Sequence, residues 1–121
     1  LDHRDQQVAA ARDAARDAVA ALASAARSVL EAWAQGPERA LAVAVPLLRM
    51  TGYVLGGWLL AKSAAIAARR LAAGDSDADF LRGKVASARF YATHVLPQAH
   101  ALGRVVEGGA ASVLDVDAAA V

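Results

Sequence analysis

Eight residues, Leu81, Val85, Ala88, Ala92, Val95, Ala99, Leu102 and Val106, are spaced alternately four and three apart. At 3.6 residues per turn this lays all eight on one stripe of a helix roughly 40 Å long. A lone helix cannot cover its own apolar stripe in water, so the rest of the chain is expected to supply the partners that bury it.

The 121 residues amount to one domain with a modest core. Alanine, the strongest helix former, is the commonest residue, and no run alternates strictly between apolar and polar, so helices are expected and strands are not. Thirteen Lys and Arg against twelve Asp and Glu leave a net charge of +1. That near-balance removes the electrostatic case for a nucleic-acid partner. Cysteine is absent, which excludes disulfides, a thiolate nucleophile and a sulfur metal site, and suits a cytoplasmic protein. Because the chain begins Leu-Asp-His, a fragment of a longer protein is expected.

The first helix is expected over about 2–35. Val8, Ala15, Leu22 and Val29 recur every seven residues, with Ala11, Ala18, Ala25 and Ala32 between them, a seam of small side chains. Val19, Leu30 and Trp33 are read as thickening its apolar side. Gly36-Pro37, followed by Glu38, is a stop and restart signal. A second helix is expected over about 37–73, with Leu41, Val45, Leu48, Leu55, Leu59 and Ile66 as its face and Tyr53 and Trp58 beside it. Pro46 is expected to kink that helix or mark a late start. Gly52 and Gly56, four apart, are read as a surface for close helix packing, since glycine in a helix interior costs about 1 kcal/mol relative to alanine. Leu41 to Ala61 is largely apolar, but Arg49 interrupts it and only twelve residues separate Arg49 from Lys62. No membrane span is therefore expected.

Gly74 ends the second helix, and Ser76 or Asp77 caps a third, over about 77–107, that carries the eight-residue stripe and bends at Pro97. The tail 110–121 docks or frays. Together these segments predict an all-α fold over residues 1–121: an antiparallel up-and-down bundle of three long helices, completed to four or more where a partner chain or the tail joins it.

Chemistry is scarce. His94 and His100 are six apart, on different helix faces, and neither has a carboxylate three or four residues away on its own helix, so no metal or general-base site is expected. Lys84, Ser87, Tyr91, His94 and Gln98 share a polar stripe that reads as a groove for an anion or, better, as a solvated or interdomain face. No phosphate-binding glycine loop and no nucleophile elbow occurs.

Gly52-Tyr-Val-Leu-Gly-Gly-Trp-Leu-Leu-Ala61, Gly74-Asp75, Phe80-Leu-Arg-Gly-Lys-Val-Ala-Ser-Ala-Arg-Phe-Tyr-Ala92, Val95-Leu-Pro-Gln-Ala99 and Gly109-Ala-Ala-Ser-Val-Leu114 resemble the extra C-terminal helical domain of the long bacterial acyl-CoA dehydrogenases. The resemblance covers about 41–114. It implies a parent oxidoreductase that uses FAD to convert acyl-CoA thioesters to enoyl-CoA, a glutamate taking the α proton and the flavin the β hydride. That apparatus lies upstream in the family, so no catalytic, cofactor-binding or metal residue is assigned here. The implied role is structural: packing on the upstream dehydrogenase core or on another subunit, in a cytoplasmic homo-oligomer. A free-standing helical module that self-associates is the alternative.

Overall fold

The computed structural model describes residues 2–121. Among them every regular element is helical: α1 His3–Gln35, α2 Pro37–Leu41, α3 Ala44–Ala72, α4 Ala78–His94, α5 Leu96–Gly108 and the single turn α6 Ala111–Leu114, with a 3-10 turn at Ala118–Ala120.

α1 starts where Asp2 accepts a hydrogen bond from the Asp5 N–H at 2.8 Å, satisfying one of the free donors of the first turn. That bond and the Arg4 guanidinium hold the Asp2 carboxyl below its ordinary range. α1 stops at Gly36, whose N–H returns to the Ala32 and Trp33 carbonyls, and Pro37 opens α2.

The two remaining expected helices are each divided. The 37–73 helix breaks at Ala42–Val43, ahead of Pro46. A proline ring crowds the carbonyl four residues back, here that of Ala42. Restarting at Ala44 places Pro46 in the first turn of α3, where a missing N–H leaves no bond unmade. The 77–107 helix breaks at Val95 for the same reason: Pro97 has no proton to offer Thr93, and it becomes a first-turn residue of α5. Between α3 and α4, Gly74 takes a left-handed φ of 79°, and the Asp75 N–H reaches back to the Arg70 carbonyl at 3.2 Å.

The stripe nevertheless runs through the second break. Leu81, Val85, Ala88, Ala99 and Val106 are buried, and Ala92, Val95 and Leu102 are half-buried. The break turns two more residues inward, Leu96 and Gly103. On α1 the seam residues Ala11, Ala15, Ala18 and Ala25 are buried, whereas Val19, Leu30 and Trp33, expected to thicken the same side, are exposed.

α3 corrects the sequence reading most. Leu41, Val45, Leu48, Leu55, Leu59 and Ile66, expected to face the core, are all exposed. The buried residues of α3 are Met50, Val54, Gly57, Ala61, Ala64 and Ala67. The physical reason is width. α1 offers α3 a surface of alanines, and helices approach closely across methyl groups only if the facing side is also small; a row of leucines would hold them apart.

Contacts fix the run of the chain. Near one end Ala11 packs with Ala64, Ala67, Leu81 and Val85; toward the other Ala18 and Ala25 pack with Val43, Met50, Ala99 and Val106. Gly56 lies under Tyr91, Gly57 under Leu96 and Met50 against Gly103, so residues ascend along α4 and α5 as they descend along α3. Ser24 donates to Glu107 at 2.5 Å, holding α1 beside α5.

Candidate docking surface

At roughly 100° per residue, Leu48, Leu55, Leu59 and Ile66 fall within about 40° of one another, roughly 140° from the Met50, Val54 and Ala61 direction. They are 72, 53, 54 and 44% exposed. Gly52 sits at one edge of this outward stripe, about 40° from its centre, and a Cβ built there meets nothing within 4 Å. Within the chain, then, the expected close packing is absent at Gly52 and present at Gly56, where a Cβ would collide with the Tyr91 ring. The difference is angular: α4 passes over Gly56 and α5 over Gly57, and among the described residues no element reaches the Leu48–Ile66 side.

Beside the stripe, a groove of about 430 Å³ runs between α1 and α3. Its apolar lining is Val8, Ala15 and Val19 from α1 and Trp58, Ala61 and Ala65 from α3; Arg12, Arg16 and Lys62 are the charged residues that line it. It exists because the two helices meet through alanines, leaving the larger flanking side chains to stand as walls. The Lys62 ammonium lies 5.1 Å from the Trp58 ring centroid, a cation–π contact. Arg12 pairs with Asp13 at 3.3 Å on the outer side.

By length and composition α3 is apolar enough to cross a membrane, with a mean hydropathy of 1.3 over its most apolar 18 residues. Arg49 and Lys62, the two charges that argue against a span, both lie within the helix.

The polar stripe of α4 does not form one site. Tyr91 turns inward, half-buried, and its hydroxyl donates to the Tyr53 carbonyl at 2.9 Å. Loss of solvent, and next the neighbouring Tyr53, push its pKa above the ordinary phenol range. Lys84 leans over the Phe80 ring at 5.0 Å, His94 stacks on Phe90 at 4.6 Å, and Gln98 donates to the His94 carbonyl. No group of three His, Cys, Asp or Glu side chains able to hold a metal occurs among the described residues. None of their polar or charged residues is buried.

Sequence reasoning missed the outward direction of α3, although a signal was present. Met50, Val54, Gly57, Ala61 and Ala64 are spaced four, three, four and three apart, the stripe spacing again, in residues whose size matches the α1 seam.

Residues 2–117 match the family model described as acetyl-CoA dehydrogenase C-terminal like. A curated relative, a 3-methylmercaptopropionyl-CoA dehydrogenase of Ruegeria pomeroyi, is 42% identical over 85 residues, which are 70% of this chain and 14% of the relative's length.

Proposed function

Because the chain belongs to the acetyl-CoA dehydrogenase C-terminal-like family, we propose that it is the non-catalytic helical domain of a flavin-dependent acyl-CoA dehydrogenase, packed on the catalytic core or on another subunit. Its five longer helices act as three rods running up, down and up, with α2 and α5 as continuations of their neighbours. The catalytic part upstream holds FAD, which accepts the hydride when an acyl-CoA thioester is oxidised. This domain supplies no acid, base or cofactor ligand and contributes a surface.

The observation that carries this reading is the outward leucine stripe of α3. A helix that faces water throughout keeps its large apolar side chains inward. Here four large apolar residues face outward in one stripe, opposite an inner side made mostly of glycine and alanine beyond Met50 and Val54, the arrangement expected when a second body covers the far side. Covering a half-exposed leucine or isoleucine stabilises the contact by about 1 kcal/mol, so Leu48, Leu55, Leu59 and Ile66 together contribute about 4 kcal/mol. Glycine at 52, destabilising for the isolated helix and unexplained by any contact within the chain, fits a stripe that something approaches closely.

The test is Leu55→Asp with Leu59→Asp in the full-length parent. The expected result is a domain that proteolysis releases quickly, while the purified parent stays yellow with flavin and the excised domain is colourless. Unchanged protease resistance, or flavin retained by the excised domain, refutes the assignment.

A further inference from the structure

The charge distribution specifies the chemistry of what covers α3. No carboxylate side chain occurs between Glu38 and Asp75, so α3 carries Arg49, Lys62, Arg69 and Arg70 with no acid among them. Across the groove, α1 adds Arg12 and Arg16. Among the described residues neither Arg16 nor Lys62 makes an ion pair, and no carboxylate lines the groove. Arg12 is met by Asp13 and Arg70 by Asp75, which leaves Arg16 and Lys62 as the unpaired cations over the apolar floor of the groove; they raise the potential there and favour a negatively charged occupant.

Two occupants are thereby disfavoured. A second copy of α3 has no carboxylate with which to answer Lys62 and Arg69, so self-pairing would leave these cations unpartnered at a desolvated contact, at a cost of several kcal/mol. A bilayer surface is smooth, whereas the groove is a concavity between two helices, walled by Val19 and Trp58, that accepts side chains projecting from a folded surface.

We infer that the α1–α3 groove and the adjoining leucine stripe receive an apolar surface rimmed with carboxylates on the catalytic part of the parent dehydrogenase, with Lys62 paired to one of those carboxylates. The inference rests on the docking role proposed above and names the chemistry of the partner.

The chain has two lysines, Lys62 on the groove and Lys84 on α4, which makes the contact readable. Treating the full-length enzyme with a water-soluble carbodiimide joins an amine to a carboxylate already in contact with it, and peptide mapping locates the bond. Lys62 is expected to be joined to an Asp or Glu outside residues 2–117, and the product should vanish in Lys62→Arg, which keeps the charge and loses the amine. In Lys62→Glu with Arg16→Glu, proteolytic release of the domain should quicken about tenfold or more, as reversal of charges paired at a buried contact predicts. Joining of Lys62 to a carboxylate of residues 2–117 in any copy overturns the inference. So does an outward link formed by Lys84 with none at Lys62, which leaves the docking role standing on another face. Neither lysine linked, with release unaffected by the charge reversal, overturns both. Binding of the enzyme to phosphatidylglycerol vesicles that Lys62→Glu abolishes, with no Lys62 crosslink, also overturns it in favour of a lipid surface.

Discussion

Two glycines of α3, five residues apart in one helix, provide a paired measurement of where this domain is tight. A Cβ at Gly57 would lie 2.6 Å from Leu96 Cδ2 and 3.0 Å from its Cγ, and Leu96 is 2% exposed. Leu96 therefore has nowhere to retreat, and overpacking a buried contact costs about 1 to 3 kcal/mol. A Cβ at Gly52 meets nothing. Each substitution to alanine also gains about 1 kcal/mol of helix propensity, a term common to both. Gly52→Ala should thus stabilise the 121-residue chain by about 1 kcal/mol, while Gly57→Ala falls between neutral and about 2 kcal/mol destabilising. The difference between the two variants, about 1 to 3 kcal/mol, is free of the shared propensity term. Urea unfolding followed by circular dichroism reads it as a separation of midpoints at constant slope. Equal midpoints would refute the assignment of Gly57 to the interior and Gly52 to open space. In the full-length enzyme Gly52→Ala has a second readout: stabilisation of the domain accompanied by faster proteolytic release from the core, if the stripe is closely approached there.

Further outcomes follow from the tyrosine and aspartate contacts. Tyr91→Phe deletes the hydrogen bond to the Tyr53 carbonyl and should cost about 0.5 to 1.5 kcal/mol by chemical denaturation. Because the folded state raises the Tyr91 pKa, its neutral-phenol contribution is complete below the unfolded value near 10 and is lost as pH climbs through the folded value. Wild type should lose stability along that alkaline limb, and Tyr91→Phe should lose less. Gly56→Leu should push Tyr91 out of its place, costing about 1 to 3 kcal/mol and returning the remaining phenol toward its ordinary titration by ultraviolet absorbance. At the α3–α4 turn, Asp75 accepts from the Asp77 N–H at 2.9 Å and pairs with Arg70 at 2.7 Å, contacts that lower its pKa in that order. Its contribution is present above the unfolded value near 3.8 and fades as pH falls through the lower folded value, so Asp75→Asn should flatten the acid limb of a melting-temperature profile.

The helical character, the Gly36-Pro37 and Gly74 junctions, and the third-helix stripe were legible in the sequence because each is a local signal: spacing, caps and turn residues. The chain breaks were legible as sites of trouble but not as positions. Proline constrains the carbonyl four residues earlier, so the interruptions fall at Ala42–Val43 and Val95, ahead of Pro46 and Pro97. The orientation of α3 was misread for a different reason. Its leucines and its small residues both repeat at helical spacing, and ranking faces by hydrophobicity selects Leu48, Leu55 and Leu59. Fit to the neighbour decides instead, and α1 presents Ala15, Ala18 and Ala25. The candidate surface lay in the residues singled out for the core; what the sequence could not show was that the chain folds with its back to them.

An interior made largely of methyl groups also sets the domain's dependence on its surroundings. Its largest fully enclosed side chains are Met50, Val54 and Val106. Little free energy of burial is gathered per turn of helix, and replacing an alanine such as Ala18 by something bulkier wedges neighbouring rods apart. Cohesion must then come partly from whatever lies against the leucines, in the way any ligand raises the melting point of the form it binds. Detached, the domain should melt earlier than it does within the parent, where calorimetry should find its transition merged with that of the catalytic part.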